Sequence, residues 1–305
     1  MKVLVSTSSF GVADDSPLRR LVELGLTPVL NPFARTVTQA ELPELLTSDT
    51  VGLIAGLEMI DRPALAASQL KVISRVGVGM SNIDQDAARD LGILVYSTPD
   101  APTQAVAEMA MGSLLALLRR IPEMNRDMHA HRWVKQMGHQ LSDCTVAIVG
   151  FGRIGQRLAS LLTPFGARIL VVQPGLGQVI SGGLSVLPLH EALSQADVVS
   201  IHASGNALIL DREAFLHLKQ GSYVLSSARG GCVDEQELLK ALDSGQVAGA
   251  WVDTFGVEPY EGPLCEHPRV LLTPHVGSNT VEARVRMEEG AVVNLLDGLT
   301  KAGVL

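Results

Sequence analysis

Positive charge, cysteine and long apolar runs are all scarce in this chain. Its 24 Lys and Arg residues are outnumbered by 32 Asp and Glu, for a formal net charge of −8 and a pI near 5.5. No Lys/Arg run breaks that balance, which argues against nucleic acid as a partner, because binding a phosphate backbone needs a basic face. The longest apolar segment, residues 109–118, falls short of the roughly 18 to 20 residues a membrane span requires. The opening Met1-Lys2-Val3-Leu4-Val5-Ser6 is too short an apolar run for a signal peptide and suits a first strand. Three cysteines, Cys144, Cys232 and Cys265, lie far apart without CxxC spacing. They read as reduced thiols of a cytoplasmic protein, and no metal ligand set is expected. The chain shows no internal repeat and no low-complexity tract.

What is present is an alternation of short apolar strands with helices, the α/β signature. Strands are expected over residues 2–6, 27–30, 51–55, 70–74 and 93–96. The first helix should begin at Ser16 as N-cap, with Pro17 in its first turn and Gly25 just past its end, following the proline-first, glycine-last asymmetry of helices. Thr38 and Glu41 have capping-box spacing ahead of Leu42, Leu45 and Leu46. The proline-punctuated Ser97-Thr98-Pro99-Asp100-Ala101-Pro102 reads as a linker, followed by an apolar helix over 103–120. Further strands recur near 144–149, 169–172, 198–202, 223–226, 248–252 and 270–273. Two doubly wound parallel-sheet domains are therefore expected, one over residues 1–99 plus 277–305 and one over 100–276. A last helix, 279–299, should return to the first. Asp84, Asp86 and the Glu288-Glu289 pair read as solvated helix faces.

The most informative stretch is Val146-Ala147-Ile148-Val149-Gly150-Phe151-Gly152-Arg153-Ile154-Gly155. A buried strand runs into a glycine turn that opens a helix, with Gly150, Gly152 and Gly155 at GxGxxG spacing. The first glycine makes the tight turn, the second lets a pyrophosphate approach the backbone, and the third lets helix and strand pack closely. Phosphates would then sit at the helix N-terminus, where free N–H groups and the helix dipole favour negative charge. A dinucleotide-binding Rossmann domain follows as the expectation.

Three polar residues stand at strand ends in the second half. Arg229 lies in Ser226-Ser227-Ala228-Arg229-Gly230-Gly231, Glu258 in Asp253-Thr254-Phe255-Gly256-Val257-Glu258-Pro259, and His275 in Thr273-Pro274-His275-Val276-Gly277. Ligands of open α/β sheets bind beyond the carboxyl ends of the strands, so these loops can converge on one crevice. The types are complementary: Arg offers a planar fork to a carboxylate, His exchanges a proton near neutral pH, and Glu can orient and charge the imidazole.

With these motifs in this order, the chain resembles the NAD-dependent D-2-hydroxyacid dehydrogenase family, in its phosphoglycerate-dehydrogenase-like branch, nearly end to end. The family's arginine, glutamate and histidine fall on Arg229, Glu258 and His275. Its substrate loop resembles Arg75-Val76-Gly77-Val78-Gly79-Met80-Ser81-Asn82-Ile83-Asp84, and its domain-crossing helix resembles Thr103-Gln104-Ala105-Val106-Ala107-Glu108. The resemblance implies a Rossmann domain inserted in a flavodoxin-like substrate domain, and hydride transfer between NAD(H) and a small D-2-hydroxy acid or 2-oxo acid. Arg75, Val78 and Gly79 would serve the substrate. Gly150, Gly152, Arg153, Ile154, Gly155, Gln173, His202, Thr103, Ser227 and Asp253 would serve the cofactor. Trp133 resembles the tryptophan of the family's dimerisation region, or else a core aromatic, and a homodimer through 103–120 and 121–141 is implied. The alternatives from other classes are a non-catalytic NAD(H) sensor of corepressor type and a glycine-turn methyltransferase; the second leaves the Arg, Glu and His unexplained.

Departures from the pattern bear on specificity. Gln173 stands where the family usually has the acid that grips the ribose and repels a 2′-phosphate, so NADP is not excluded. No Lys or Arg occurs between Arg168 and Arg212 to attract that phosphate, so NAD is expected. The loop Ala55-Gly56-Leu57-Glu58-Met59 lacks the arginine that phosphoglycerate dehydrogenases usually offer, which leaves Arg75 as one candidate anchor for a distal anion, so a phosphorylated, 3-phosphoglycerate-like substrate is allowed but not demanded. Pro102 replaces an asparagine before the threonine, and His202-Ala203-Ser204-Gly205-Asn206 lacks the usual proline. The chain's end soon after the last helix implies no C-terminal regulatory domain.

Overall fold

The computed structural model describes residues 1–177, 179–180, 182–205 and 207–305; Asn206, in the loop that lacks the family's proline, lies outside them. The chain divides into two units, Met1–Pro102 with Asn279–Leu305, and Thr103–Ser278.

The first unit has five strands: β1 (Lys2–Val5), β2 (Thr27–Leu30), β3 (Thr50–Ala55), β4 (Val72–Arg75) and β5 (Leu94–Tyr96). They pair in parallel in the order β2-β1-β3-β4-β5, the doubly wound order of flavodoxin-like sheets. The strands alternate with α1 (Ser16–Glu23), α2 (Leu42–Leu45), α3 (Arg62–Ala66) and α4 (Gln85–Asp90). Helix α1 starts one residue away from the expected register. Asp15 holds the N-cap position without a side-chain cap, while Asp14 accepts from the Ser16 N–H at 2.8 Å. Glu41 closes the capping box from one side only, accepting from the Thr38 N–H at 2.9 Å.

The second unit begins with α5 (Thr103–Leu118) and α6 (Ile121–His129). Then follow β6 (Thr145–Val149), α7 (Arg153–Leu162), β7 (Arg168–Val172), β8 (Val179–Ile180) and β9 (Leu184–Val186). The remainder is α8 (Leu189–Gln195), β10 (Val198–Ile201), α9 (Arg212–Leu216), β11 (Ser222–Ser226), α10 (Glu235–Ser244), β12 (Val247–Val252) and β13 (Val270–Leu272). The sheet order is β13-β12-β11-β10-β6-β7-β9-β8, parallel except for the β8–β9 pair. Strand order reverses at β6, so the crevice beyond the ends of β6 and β10 is the expected ligand position of such a sheet. The β8–β9 hairpin has no counterpart among the expected strands; strands of two and three residues are too short to signal a period.

Both faces of this sheet are covered, which is why its strands read as continuous apolar runs. Ala147, Val149, Val199 and Ile201 point into one core, and Val146, Ile148, Val198 and Trp251 into the other. Helix α5 is apolar around most of its circumference because it buries Ala107, Ala110, Leu114 and Leu118 in the second core. Helix α11 (Val281–Lys301) belongs to the first unit and packs on β3 and β4. Glu288, expected on a solvated face of this helix, is instead fully buried. Its carboxylate takes the Arg284 Nε at 2.5 Å and the Gly11 N–H at 2.8 Å, partners that make the burial of a charge tolerable. Asp84 likewise caps α4, accepting from the Ala87 N–H at 2.8 Å. Among the described residues, no helix is long and apolar enough to cross a membrane.

Candidate active site and dinucleotide turn

The glycine turn is built as the spacing demands. Gly150 sits at φ +93°, and a Cβ there would lie 2.5 Å from the Ala203 nitrogen, so both dihedral and space require glycine. A Cβ on Gly155 would lie 2.2 Å from the Gly150 carbonyl oxygen, the close approach of helix and strand. Gly152 is the N-cap of α7, has no capping side chain and faces open space. The first N–H groups of α7 are thus left for an external acceptor. Arg153 and Ile154 open the helix directly after it. Thr103, at the start of α5, holds a buried hydroxyl with no hydrogen-bond partner, a group that a ligand oxygen can satisfy. These features fit an NAD-type dinucleotide.

Gln173, just past β7, is engaged differently from the expected ribose grip. Its Oε1 accepts from the Phe151 N–H at 2.9 Å, which ties it to the turn itself and leaves its amide nitrogen, 3.5 Å from the Pro174 carbonyl, as the outward group. His202 follows β10 and bridges two hydroxyls, with Nε2 2.8 Å from Ser200 Oγ and Nδ1 3.3 Å from Ser227 Oγ. Burial pushes this imidazole down to about 4, so it is neutral at physiological pH. Ser227 and His202, assigned separately from the sequence, therefore form one cluster at the ends of β10 and β11.

Arg229, Glu258 and His275 all lie in the second unit, and the structure brings them together. Gly230 makes this convergence possible: a Cβ there would lie 1.8 Å from the Phe255 carbonyl oxygen, so the Arg229 loop packs directly on the start of the Glu258 loop. Glu258 accepts from the Phe255 N–H at 3.0 Å and meets His275 Nδ1 at 2.9 Å. Burial alone would raise the Glu258 carboxyl. The His275 hydrogen bond, the Phe255 N–H and the charges of His275 and Arg229 outweigh that and hold it below the usual carboxylate range. Nδ1 is occupied by the carboxylate, so Nε2 is the ring nitrogen left to face a reactant. His275 and Glu258 remain 45% and 38% exposed, respectively, in their side chains, so the pair is accessible.

The backbone around His275 is locked from below. Asp253, 2% exposed at the end of β12, accepts at Oδ1 from Thr273 Oγ1 at 2.5 Å and from the Val276 N–H at 2.9 Å, and at Oδ2 from the Gly277 N–H at 2.9 Å. His275 itself takes a left-handed φ of +52°, and its N–H donates to the Asp253 carbonyl at 2.9 Å. Such a conformation persists only where surroundings over-determine it. Asp253, read from the sequence as a cofactor contact, is thus the anchor of the histidine loop. Two supports were not singled out in the sequence. Trp251 Nε1 donates to Thr273 Oγ1 at 3.0 Å. Tyr260 stacks on Phe255 with centroids 4.2 Å apart and donates to Glu235 Oε2 at 2.9 Å, fixing the Glu258 loop to α10. The Tyr260 phenol is pushed up to about 12, chiefly by burial. Thr254 adds a second buried hydroxyl without a partner beside Asp253.

In the first unit, Val78 is 42% exposed while Arg75 is only 7% exposed. The Arg75 guanidinium bonds the Val76 carbonyl beneath its own loop and packs under Gly77, so it is not displayed as the anion anchor expected from the sequence. Glu58 is also turned inward, 2% exposed, taking the Gly56 N–H at 3.0 Å and the Ser6 hydroxyl. Trp133 is 78% exposed and is not a core aromatic.

The family model of the "D-isomer specific 2-hydroxyacid dehydrogenase, NAD binding domain" matches residues 111–277, more than half of the chain. A D-3-phosphoglycerate dehydrogenase of Mycobacterium leprae is 36% identical over 261 residues, covering 83% of this chain and 49% of the relative. The chain thus spans about half the length of that relative. A solved protein of Thermus thermophilus is 35% identical with a TM-score of 0.90, covering 99% of this chain and 97% of the other. A glyoxylate reductase from Paecilomyes thermophila is 28% identical with a TM-score of 0.87, at 99% and 96% coverage. These likenesses favour neither a sensor of corepressor type nor a methyltransferase. The chain belongs to the D-isomer specific 2-hydroxyacid dehydrogenases and carries the domain with which that family binds an NAD-type dinucleotide.

Proposed function

We propose that the protein interconverts a small 2-oxo acid and the matching D-2-hydroxy acid, with Arg229, Glu258 and His275 as the catalytic residues. The observation that carries this reading is the accessible Glu258–His275 pair at 2.9 Å, with Arg229 close enough for its charge to act on Glu258. When bound, the dinucleotide supplies the hydride. Arg229 binds the substrate carboxylate through its fork and polarises the neighbouring carbonyl. His275 donates a proton from Nε2 to the carbonyl oxygen as it gains charge, and accepts one there in the oxidative direction. Glu258 orients the ring through its hydrogen bond to Nδ1. Val78 and Gly79 are assigned backbone N–H contacts to the carboxylate, with Arg75 supporting that loop.

An unphosphorylated substrate suits the residues better than a phosphorylated one. Glu58 is turned inward and Arg75 lies beneath its loop, so neither segment displays a cation to a distal phosphate. The test is NADH oxidation with pyruvate, glyoxylate, hydroxypyruvate and 3-phosphohydroxypyruvate. Turnover of the first three at higher kcat/KM is expected. Preference for the phosphorylated acid would overturn the substrate class, and NADH binding without turnover of any would overturn the catalytic reading.

NAD is proposed as the preferred dinucleotide, with Gly150, Gly152, Arg153, Ile154, Gly155 and Thr103 around it. Gln173 presents no carboxylate to repel a 2′-phosphate, so discrimination should be modest. A lower KM for NADPH than for NADH would reverse this choice. A homodimer is proposed through residues 121–141, where α6 buries no side chain and Trp133 and Met137 are 78% and 92% exposed. Helix α5 contributes less than the sequence implied, because most of its apolar surface is already covered inside its own unit. A monomeric mass in solution scattering would rule the dimer out. The cytoplasmic setting read from the cysteines belongs to the same proposal.

A further inference from the structure

Two helices of the second unit carry a cluster that the chemistry above does not use. His190 stands in the first turn of α8; Glu213 and His217 stand four residues apart at α9, Glu213 in its first turn and His217 at its C-cap. The two imidazoles stack with centroids 4.3 Å apart and planes 16° apart. His190 Nδ1 lies 3.9 Å from Glu213 Oε1, too long for a hydrogen bond. One ligand atom from each of the three residues lies within 4.8 Å of the others.

The scaffold under these side chains is fixed. Ala192 and Leu193 of α8 and Ala214 and Phe215 of α9 are buried in the same core cluster, and Asp211 caps α9 by accepting from the Ala214 N–H at 2.8 Å. The side chains themselves are free to adjust, since those of His190 and Glu213 are 42% and 71% exposed. We propose that His190, Glu213 and His217 form a binding site for a borderline divalent transition-metal ion such as Zn²⁺, clamping α8 to α9. Two imidazole nitrogens and one carboxylate oxygen are a common zinc donor set, with water completing the tetrahedron. Ligand bonds of about 2.0 to 2.2 Å place neighbouring donors roughly 3.3 Å apart. The present spacing closes to that when Glu213 swings about its own side-chain torsions and the rings turn out of their stack. A hard, oxygen-seeking ion such as Mg²⁺ does not suit this set.

Both helices start on the side of the sheet where strands end, and α9 follows the loop that leaves β10 after His202. A bound ion would therefore staple the segment that leads from the His202 cluster to β11. It touches neither the glycine turn nor the Glu258–His275 pair.

The test is equilibrium dialysis of the chelator-stripped, full-length chain against ZnCl₂, with bound zinc quantified, alongside thermal unfolding with and without zinc. The native chain should bind one equivalent that His190→Gln and His217→Ala each weaken by at least about tenfold, since even residues that only support a ligand cost that much. Zinc at a hundredfold excess over its Kd should raise the Tm of the native chain by about 5 °C and that of each variant by no more than about half as much. The two variants alter exposed side chains, and their metal-free Tm reports whether folding is intact. Absence of a bound equivalent, or equal zinc affinity in native chain and variants, would overturn the site, as would equal binding of Mg²⁺.

Discussion

Two histidines of the second unit, His202 and His275, both follow the end of a strand in one sheet, and their surroundings give them opposite characters. His275 keeps a carboxylate partner, stays 45% exposed and leaves one ring nitrogen toward solvent. His202 is partly buried, engages a hydroxyl at each nitrogen and is shifted toward the neutral form by burial. The first is arranged to carry and release a proton; the second is arranged never to hold an extra one. A carboxylate partner and solvent access suit a proton carrier, and two hydroxyls in a partly buried site suit a structural bridge.

The comparison breaks most visibly if His275→Ala leaves catalysis intact. Turnover of the preferred 2-oxo acid should fall by about 10³, while NADH affinity measured by fluorescence stays within twofold. The His202 side of the comparison is a stability effect. Its folded value near 4 lies below the ordinary 6.5, so the unfolded chain binds the proton more readily between those pH values. Stability should be at full strength above pH 6.5 and decline as pH falls toward 4, by at most about 3 kcal/mol. Denaturant unfolding across that window should show the decline in the native chain and a flatter profile in His202→Gln; equal slopes would remove burial as the cause. Glu258→Gln keeps shape but exchanges a charge-assisted bond for an ordinary one, so turnover should drop about tenfold with the fold unchanged. Ser200→Ala, which removes one hydroxyl from the His202 bridge, should reduce stability by only about 1 kcal/mol and leave turnover untouched.

The glycine turn was legible because its spacing encodes local demands: the structure gives those of Gly150 and Gly155 a distance and leaves Gly152 facing open space. Arg229, Glu258 and His275 were legible as types at strand ends, and their convergence followed from the rule for open sheets. Other roles were hidden because they depend on what lies opposite in space. Asp253, expected as a cofactor contact, has a second role that the sequence did not show: its oxygens hold Thr273, Val276 and Gly277. Glu288 looked solvated because its partner Gly11 lies 277 residues away. Arg75 looked like a displayed anion anchor, yet it is only 7% exposed.

Periodicity, glycine spacing and the order of residue types were enough to determine two wound sheets, a dinucleotide turn and the three polar side chains proposed to react. These properties are local, set by backbone sterics and by which side chains repeat on one face. Only the tertiary structure decided which polar groups are neutral or charged, displayed or buried. Those outcomes depend on desolvation and on partners brought together by folding, and no local pattern carries that information.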